Sequence, residues 1–112
     1  MQNKNRVIIQ RMIFLCDDAV KYCAGCSCDE FIRNELFLTF SVFSLSQLGE
    51  LSLRLNTEFI ANHPDIPWQA LRGLRNRIVH NYEGIQYRIV WEVLQVDIPS
   101  LRQQLLATLE NV

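Results

Sequence analysis

From Arg6 to about Ala24, apolar residues recur at Ile9, Met12, Ile13, Cys16, Ala19, Val20 and Cys23. These offsets follow one face of a helix, so the pattern predicts an amphipathic helix over that stretch. Gly25 ends it in the manner of a helix C-terminus. Ser27 or Cys28 then precedes Asp29-Glu30, acids suited to a first helical turn, which predicts a short helix over residues 28–34. From about Glu35 to Leu55 the residues Leu36, Phe37, Phe40, Val42, Phe43, Leu45, Leu48, Leu51, Leu53 and Leu55 cover more than a single stripe. A helix apolar on two sides is central in a bundle or shared with a second subunit. Ser41, Ser44 and Ser46 would let another helix approach it closely. Gly49 interrupts this helix, where glycine costs about 1 kcal/mol relative to alanine, so it calls for a packing or functional reason.

The region from Asn56 to Pro67 reads as a connection with a helical turn at Glu58–Asn62. Prolines at 64 and 67 bias their predecessors away from helix, and Pro67 suits the first position of the next one. That helix runs from Trp68, an anchor to the core, to about Asn81. Gly84 breaks the chain. A last helical region spans about Gln86 to Glu110, with a kink or two abutting helices expected at Asp97-Ile98-Pro99. Trp91 reads as packed rather than as a platform for a ligand. No alternating strand pattern, internal repeat or low-complexity tract is present. The expectation is an all-α single domain over residues 1–112, an antiparallel bundle of about four to five helices that dimerises.

Composition removes several alternatives. The chain has 112 residues, 49% of them hydrophobic and three of them proline, which fits one well-packed domain rather than disorder. Its apolar runs are broken by charges well short of a membrane span, and the N-terminus lacks the pattern of a signal peptide. A cytoplasmic location is expected. Net charge is −1, so there is no global basic field to collect nucleic acid. Four cysteines include Cys23-x2-Cys26-x-Cys28 without the second pair that a zinc site needs, so reduced thiols are expected and no metal or cofactor.

The candidate chemistry lies in the helix from Trp68. Between Gln69 and Arg88 stand Arg72, Arg75, Arg77 and Arg88 against the single acid Glu83. Within it, Arg75, Asn76, His80 and Tyr82 place a guanidinium, an amide, an imidazole and a phenol in eight residues. With Arg75 at 0°, the 100° step of a helix puts Asn76 at about 100°, His80 at about 140° and Tyr82 at about −20°. Leu71, Leu74 and Ile78 then form a core side at about 260–320°. Arg75 can offer phosphate a planar two-pronged donor, and Asn76, one turn from His80, can orient the imidazole or share the phosphate. An imidazole moves protons at neutral pH, so the set suffices for metal-free RNA cleavage to a 2′,3′-cyclic phosphate. Arg72 and Arg77 are further phosphate-binding candidates, and Glu50 is a candidate to face this helix. By spacing alone an Arg-x4-His pair is more often a solvated face. A single imidazole is also thin for a reaction needing an acid and a base, which two copies of the chain in one cleft would remedy.

The motif Arg75-Asn76-x3-His80-x-Tyr82 resembles the Arg-x4-His-x-Tyr motif of the HepT-like toxins, a branch of the HEPN superfamily. Pro64-Asp65-Ile66-Pro67-Trp68, Gly73-Leu74-Arg75-Asn76, Tyr82-Glu83-Gly84-Ile85, Ile89-Val90-Trp91-Glu92 and Leu48-Gly49-Glu50 are similar to that family's wording, so the resemblance covers nearly the whole chain. It implies an all-α homodimer whose shared cleft is a metal-independent endoribonuclease acting on RNA, with Arg75, Asn76 and His80 as its catalytic residues. It also implies the toxin of a type VII toxin–antitoxin system, silenced by a nucleotidyltransferase antitoxin that transfers AMP onto Tyr82. Ser41, Ser44, Ser46 and Gln86 depart from the family's usual residues, which bears on the cleft's outer specificity rather than its centre. A non-catalytic dimer that binds nucleotide or RNA, or docks the antitoxin, is the alternative reading.

Overall fold

In a computed structural model, residues 3–23 and 25–110 are described, so the expected helix end at Ala24 lies outside them. The first helix, α1 (Asn3–Cys23), buries Ile8, Ile9, Met12, Ile13, Cys16, Ala19 and Cys23, the stripe its periodicity predicts. Ser27 caps α2 (Cys28–Arg33): its hydroxyl accepts from Glu30 N, and the Glu30 carboxylate accepts from Ser27 N. That reciprocal pair satisfies two N–H groups the helix leaves free, and it decides between Ser27 and Cys28 as the cap.

Asn34 caps α3 (Glu35–Ser52) through a bond from Phe37 N to its side-chain oxygen. The periodicity predicts three further residues of helix. Instead Leu53, Arg54 and Leu55 donate to the carbonyls three residues back, tightening the chain so that Leu55 turns into the core. The six-residue α4 (Thr57–Asn62) inserts Phe59. α1 and α3 run antiparallel, tied at one end by Asn56 N donating to Asn5 Oδ1 and at the other by the Cys23 thiol donating to Phe37 O.

Next comes α5 (Trp68–His80), which packs chiefly on α3. Trp68 is buried at its start, with Nε1 donating to His63 O at 3.0 Å and its ring edge-on to Phe59. A 3₁₀ turn (Tyr82–Gly84) leads to α6 (Tyr87–Glu92), a π turn (Val93–Asp97) and α7 (Ile98–Glu110). These last three follow one another without a gap, two helices abutting through the π turn at the place where a kink or two abutting helices is expected. Ile98 N reaches back five residues to Val93 O, a widened turn that spares the Pro99 ring its clash with a carbonyl four residues earlier. Widening also keeps Val90, Leu94 and Ile98 in line at a spacing of four, so one buried stripe continues into Leu101 and Leu105.

Four main helices (α1, α3, α5 and the α6–α7 rod) thus make the bundle, with α2 and α4 as links and no strand among the described residues. Trp91 is packed, its Nε1 donating to Cys26 O. The four cysteines are free thiols. Burial pushes Cys16 up to about 12 and Cys23 up to about 11. No described helix is long and apolar enough to cross a membrane.

Candidate nucleic-acid cleavage site

The site begins at a glycine. α3 and α5 touch where Gly49 meets Leu71 and Arg75, so closely that a Cβ on Gly49 would lie 2.4 Å from Arg75 Cβ and 2.7 Å from Leu71 O. Only hydrogen fits there, which is the packing reason for a glycine inside α3. The contact carries the next residue, Glu50, to Arg75: Arg75 Nε donates to Glu50 Oε2 at 2.8 Å. Arg75 Nη1 donates to Asn76 Oδ1 at 2.9 Å. Of the five guanidinium N–H groups, these two contacts engage the Nε–H and one on Nη1. The Nη1/Nη2 end of the fork remains for an anion. Both partners are half-buried, with 24% of the Arg75 side chain and 38% of the Glu50 side chain exposed.

Asn76 therefore serves Arg75 through its oxygen, where an orienting contact to His80 was one expectation. His80 is the last residue of α5 and is exposed. Five residues of helix set it about 140° around the axis from Arg75, so one chain presents the two on adjoining sides rather than in contact. Tyr82 does not continue the helix. Asn81 ends α5 with φ −142° and ψ 52°, and Tyr82 stands on the 3₁₀ turn beyond it, 55% exposed. The −20° position is thereby replaced by a projecting turn. The Tyr87 phenol is pushed up by burial first and by the nearby Tyr82 second.

The three arginines of α5 are divided. Arg72 lies on the Arg75 side of α5, and its Nε is buried with no hydrogen-bond partner. Arg77 is about 200° around from Arg75 and lines a separate cleft of about 520 Å³ with Leu74, Ile89 and Val93. Ser41 and Ser44 have no exposed surface, in keeping with small residues that let a helix approach α3 closely, and so they do not shape the outer rim of a cleft as the family comparison of those positions suggested. What does lie open is apolar. Leu36, Phe43 and Glu50 stand seven residues apart on one line of α3, with Leu36 80% and Phe43 59% exposed, and Val79 of α5 is 49% exposed.

A protein-family model described as "Ribonuclease HepT-like" matches residues 12–108. The chain belongs to the HepT-like family. Among the proteins this HepT-like chain resembles is a "Putative RNase" of Caldanaerobacter subterraneus, 30% identical over 106 residues that make up 95% of each chain. A "Putative RNase" of Methanocaldococcus jannaschii is 30% identical over 88 residues, 79% of this chain and 81% of its own. A "Probable ribonuclease HepT" of Thermococcus cleftensis is 36% identical over 59 residues, about half of each chain. No solved structure matches. The HepT-like match spans α3, α5 and the motif, so the helices that hold Glu50, Arg75 and His80 all lie inside it. Glu50, a candidate from the sequence to face α5, does so through Arg75, whereas nothing in the sequence points to Tyr87.

Proposed function

We propose that this HepT-like chain is a metal-independent endoribonuclease and the toxin of a type VII toxin–antitoxin pair. The observation that carries the reading is the Arg75 guanidinium, fixed by Glu50 and Asn76 with one end of its fork open, on the same helix as the exposed His80. A fixed fork grips a phosphodiester and steadies the charge that builds on phosphorus, while the imidazole serves as general acid or base. Both are side-chain functions and require no metal.

The cleft is formed by two copies. Leu36 and Phe43, exposed on the line of α3 that leads to Glu50, and the exposed Val79 of α5 offer apolar surface for a second copy, and a two-fold pairing across it would bring a second Arg75 and His80 to the same groove. Arg72 adds a second positive charge on that side. Arg77, on the other side of α5, contacts a more distant phosphate of the bound strand. The antitoxin, a minimal nucleotidyltransferase, transfers AMP to the exposed Tyr82 hydroxyl, which places negative charge and bulk where RNA must enter.

The test is cleavage of RNA in chelator by the purified chain, with light scattering to report the dimer. His80→Ala should abolish both cleavage and growth inhibition while the dimer stays folded, since the residue is exposed. Retained cleavage by that variant overturns the assignment of His80. Wild-type protein that binds RNA without cutting it, at any pH from 6 to 8, overturns the nuclease in favour of a binding module.

A further inference from the structure

We propose that Glu50 is the general base of this site, the group that takes the proton from the ribose 2′-hydroxyl, with His80 as the general acid. The inference rests on the ribonuclease reading above and deepens it. Cleavage by the 2′-hydroxyl needs two proton transfers at separate atoms, one at the attacking oxygen and one at the leaving oxygen. Each chain has two histidines. His63 is committed to the α4–α5 junction, its ring 4.4 Å from that of Phe59 and its carbonyl holding Trp68. Within one chain that leaves His80 for one of the two transfers. The His80 of a second copy is the rival for the other, and it predicts that His80→Ala, which removes both imidazoles, stays inactive even with a leaving group that needs no proton.

Glu50 is placed for the other. Its Oε2 lies 2.8 Å from Arg75 Nε, so a phosphate on the open end of the same guanidinium lies one guanidinium's width from the carboxylate. The 2′-oxygen that attacks the phosphorus must sit within about 3–3.5 Å of it before reaction, which brings that hydroxyl into the carboxylate's reach. Two physical arguments favour a chemical role over a structural one. A half-exposed ion pair adds little to stability, and a carboxylate beside a phosphate site opposes binding by charge. Gly49 pins the backbone of Glu50 against α5, so the carboxylate cannot drift from the guanidinium with the motions of a loop.

The step balances. Glu50 accepts the 2′-hydroxyl proton as the 2′-oxygen–phosphorus bond forms. The phosphorus–5′-oxygen bond breaks, and the leaving oxygen takes a proton from the His80 imidazolium. The products are a 2′,3′-cyclic phosphate and a 5′-hydroxyl, and solvent returns the proton from Glu50 to His80. His80 comes from either chain of the pair, because Glu50 and Arg75 remain together in both cases.

The experiment compares ordinary RNA with an oligonucleotide whose scissile 5′-oxygen is replaced by sulfur, a leaving group that departs without a proton. Glu50→Gln keeps an acceptor for Arg75 Nε and removes the base. It should cut ordinary RNA about 100-fold or more slowly than wild type, and the sulfur substrate should not restore its rate. A 2′-O-methyl RNA, which cannot be cut, should bind it within about threefold of wild type. His80→Ala should recover on the sulfur substrate. Glu50→Asp, which withdraws the carboxylate by one methylene, should give a smaller loss, again without recovery. Wild-type rates in Glu50→Gln, its recovery on the sulfur substrate, or a loss of cleavage matched by a loss of RNA binding would each overturn the proposal. Failure of the wild-type chain to cut either substrate would instead defeat the ribonuclease reading beneath it.

Discussion

Gly49 and Arg75 share a space that admits no methyl group: a Cβ on the glycine would stand 2.4 Å from the arginine's own Cβ. Gly49→Ala therefore sets two effects against each other. Helix propensity favours alanine by about 1 kcal/mol, while overfilling a packed contact costs about 1–3 kcal/mol. The obstructing atoms are a Cβ and the Leu71 carbonyl, which cannot swing aside as a flexible side-chain end could, so the clash should win. The expected result is a net loss of up to about 2 kcal/mol in urea unfolding and at least a tenfold fall in RNA cleavage as Arg75 is pushed off Glu50. A more stable, fully active alanine variant would contradict the close crossing.

Stability should fall at alkaline pH. Burial pushes the Cys16 thiol up to about 12 and the Cys23 thiol up to about 11. Both stand above the ordinary value of 9.0 that the unfolded chain has. Between those values the unfolded thiols have lost their protons and the folded ones have not, so raising the pH favours unfolding. The contribution is complete below about pH 9 and is lost as pH rises toward 11 to 12, at about 1.4 kcal/mol per pH unit for each thiol. Unfolding midpoints from pH 8 to 11 should show the decline, and Cys16→Ala should flatten it at the cost of a small cavity. Both thiols should resist alkylation at pH 8 until the chain is unfolded.

Tyr82→Phe should abolish AMP addition on co-expression with the cognate nucleotidyltransferase, read as the loss of mass increments in the intact protein. Because Tyr82 is exposed, the variant should fold with a stability within about 0.5 kcal/mol of wild type. It should keep cleaving RNA and become a toxin that its antitoxin cannot restrain. A phenylalanine variant that still gains AMP would place the modification elsewhere.

Much of the fold follows from the position of apolar residues. The α1 stripe, the two-sided α3 and the Trp68 anchor are legible because burial imposes a 3.6-residue repeat that composition cannot disguise. The α6–α7 junction is not, because Pro99 forbids a regular α-helix without saying whether the chain will break or widen, and the buried line from Val90 to Leu105 decides for widening. Ser41 and Ser44 are legible as residues that admit a close helix contact but not as absent from a cleft rim, since small polar residues suit both places equally. In the site, Arg75 and His80 carry their chemistry in their identity. Glu50 does not: its role depends on which turn of α5 crosses Gly49, a distance relation between residues 25 apart. Tyr82 lies past the point where helical arithmetic holds, because Asn81 leaves the helical backbone first.

The 3₁₀ turn from Tyr82 to Gly84 buries none of its residues and hangs beyond the bond from Asn81 N to Arg77 O that closes α5. A group attached to Tyr82 would thus work as a stopper and leave the bundle unburdened. Capped and uncapped chains would unfold at closely similar temperatures and look alike to any protease or chaperone that surveys folding. The silenced pool would persist as intact protein, ready for release by whatever removes the cap.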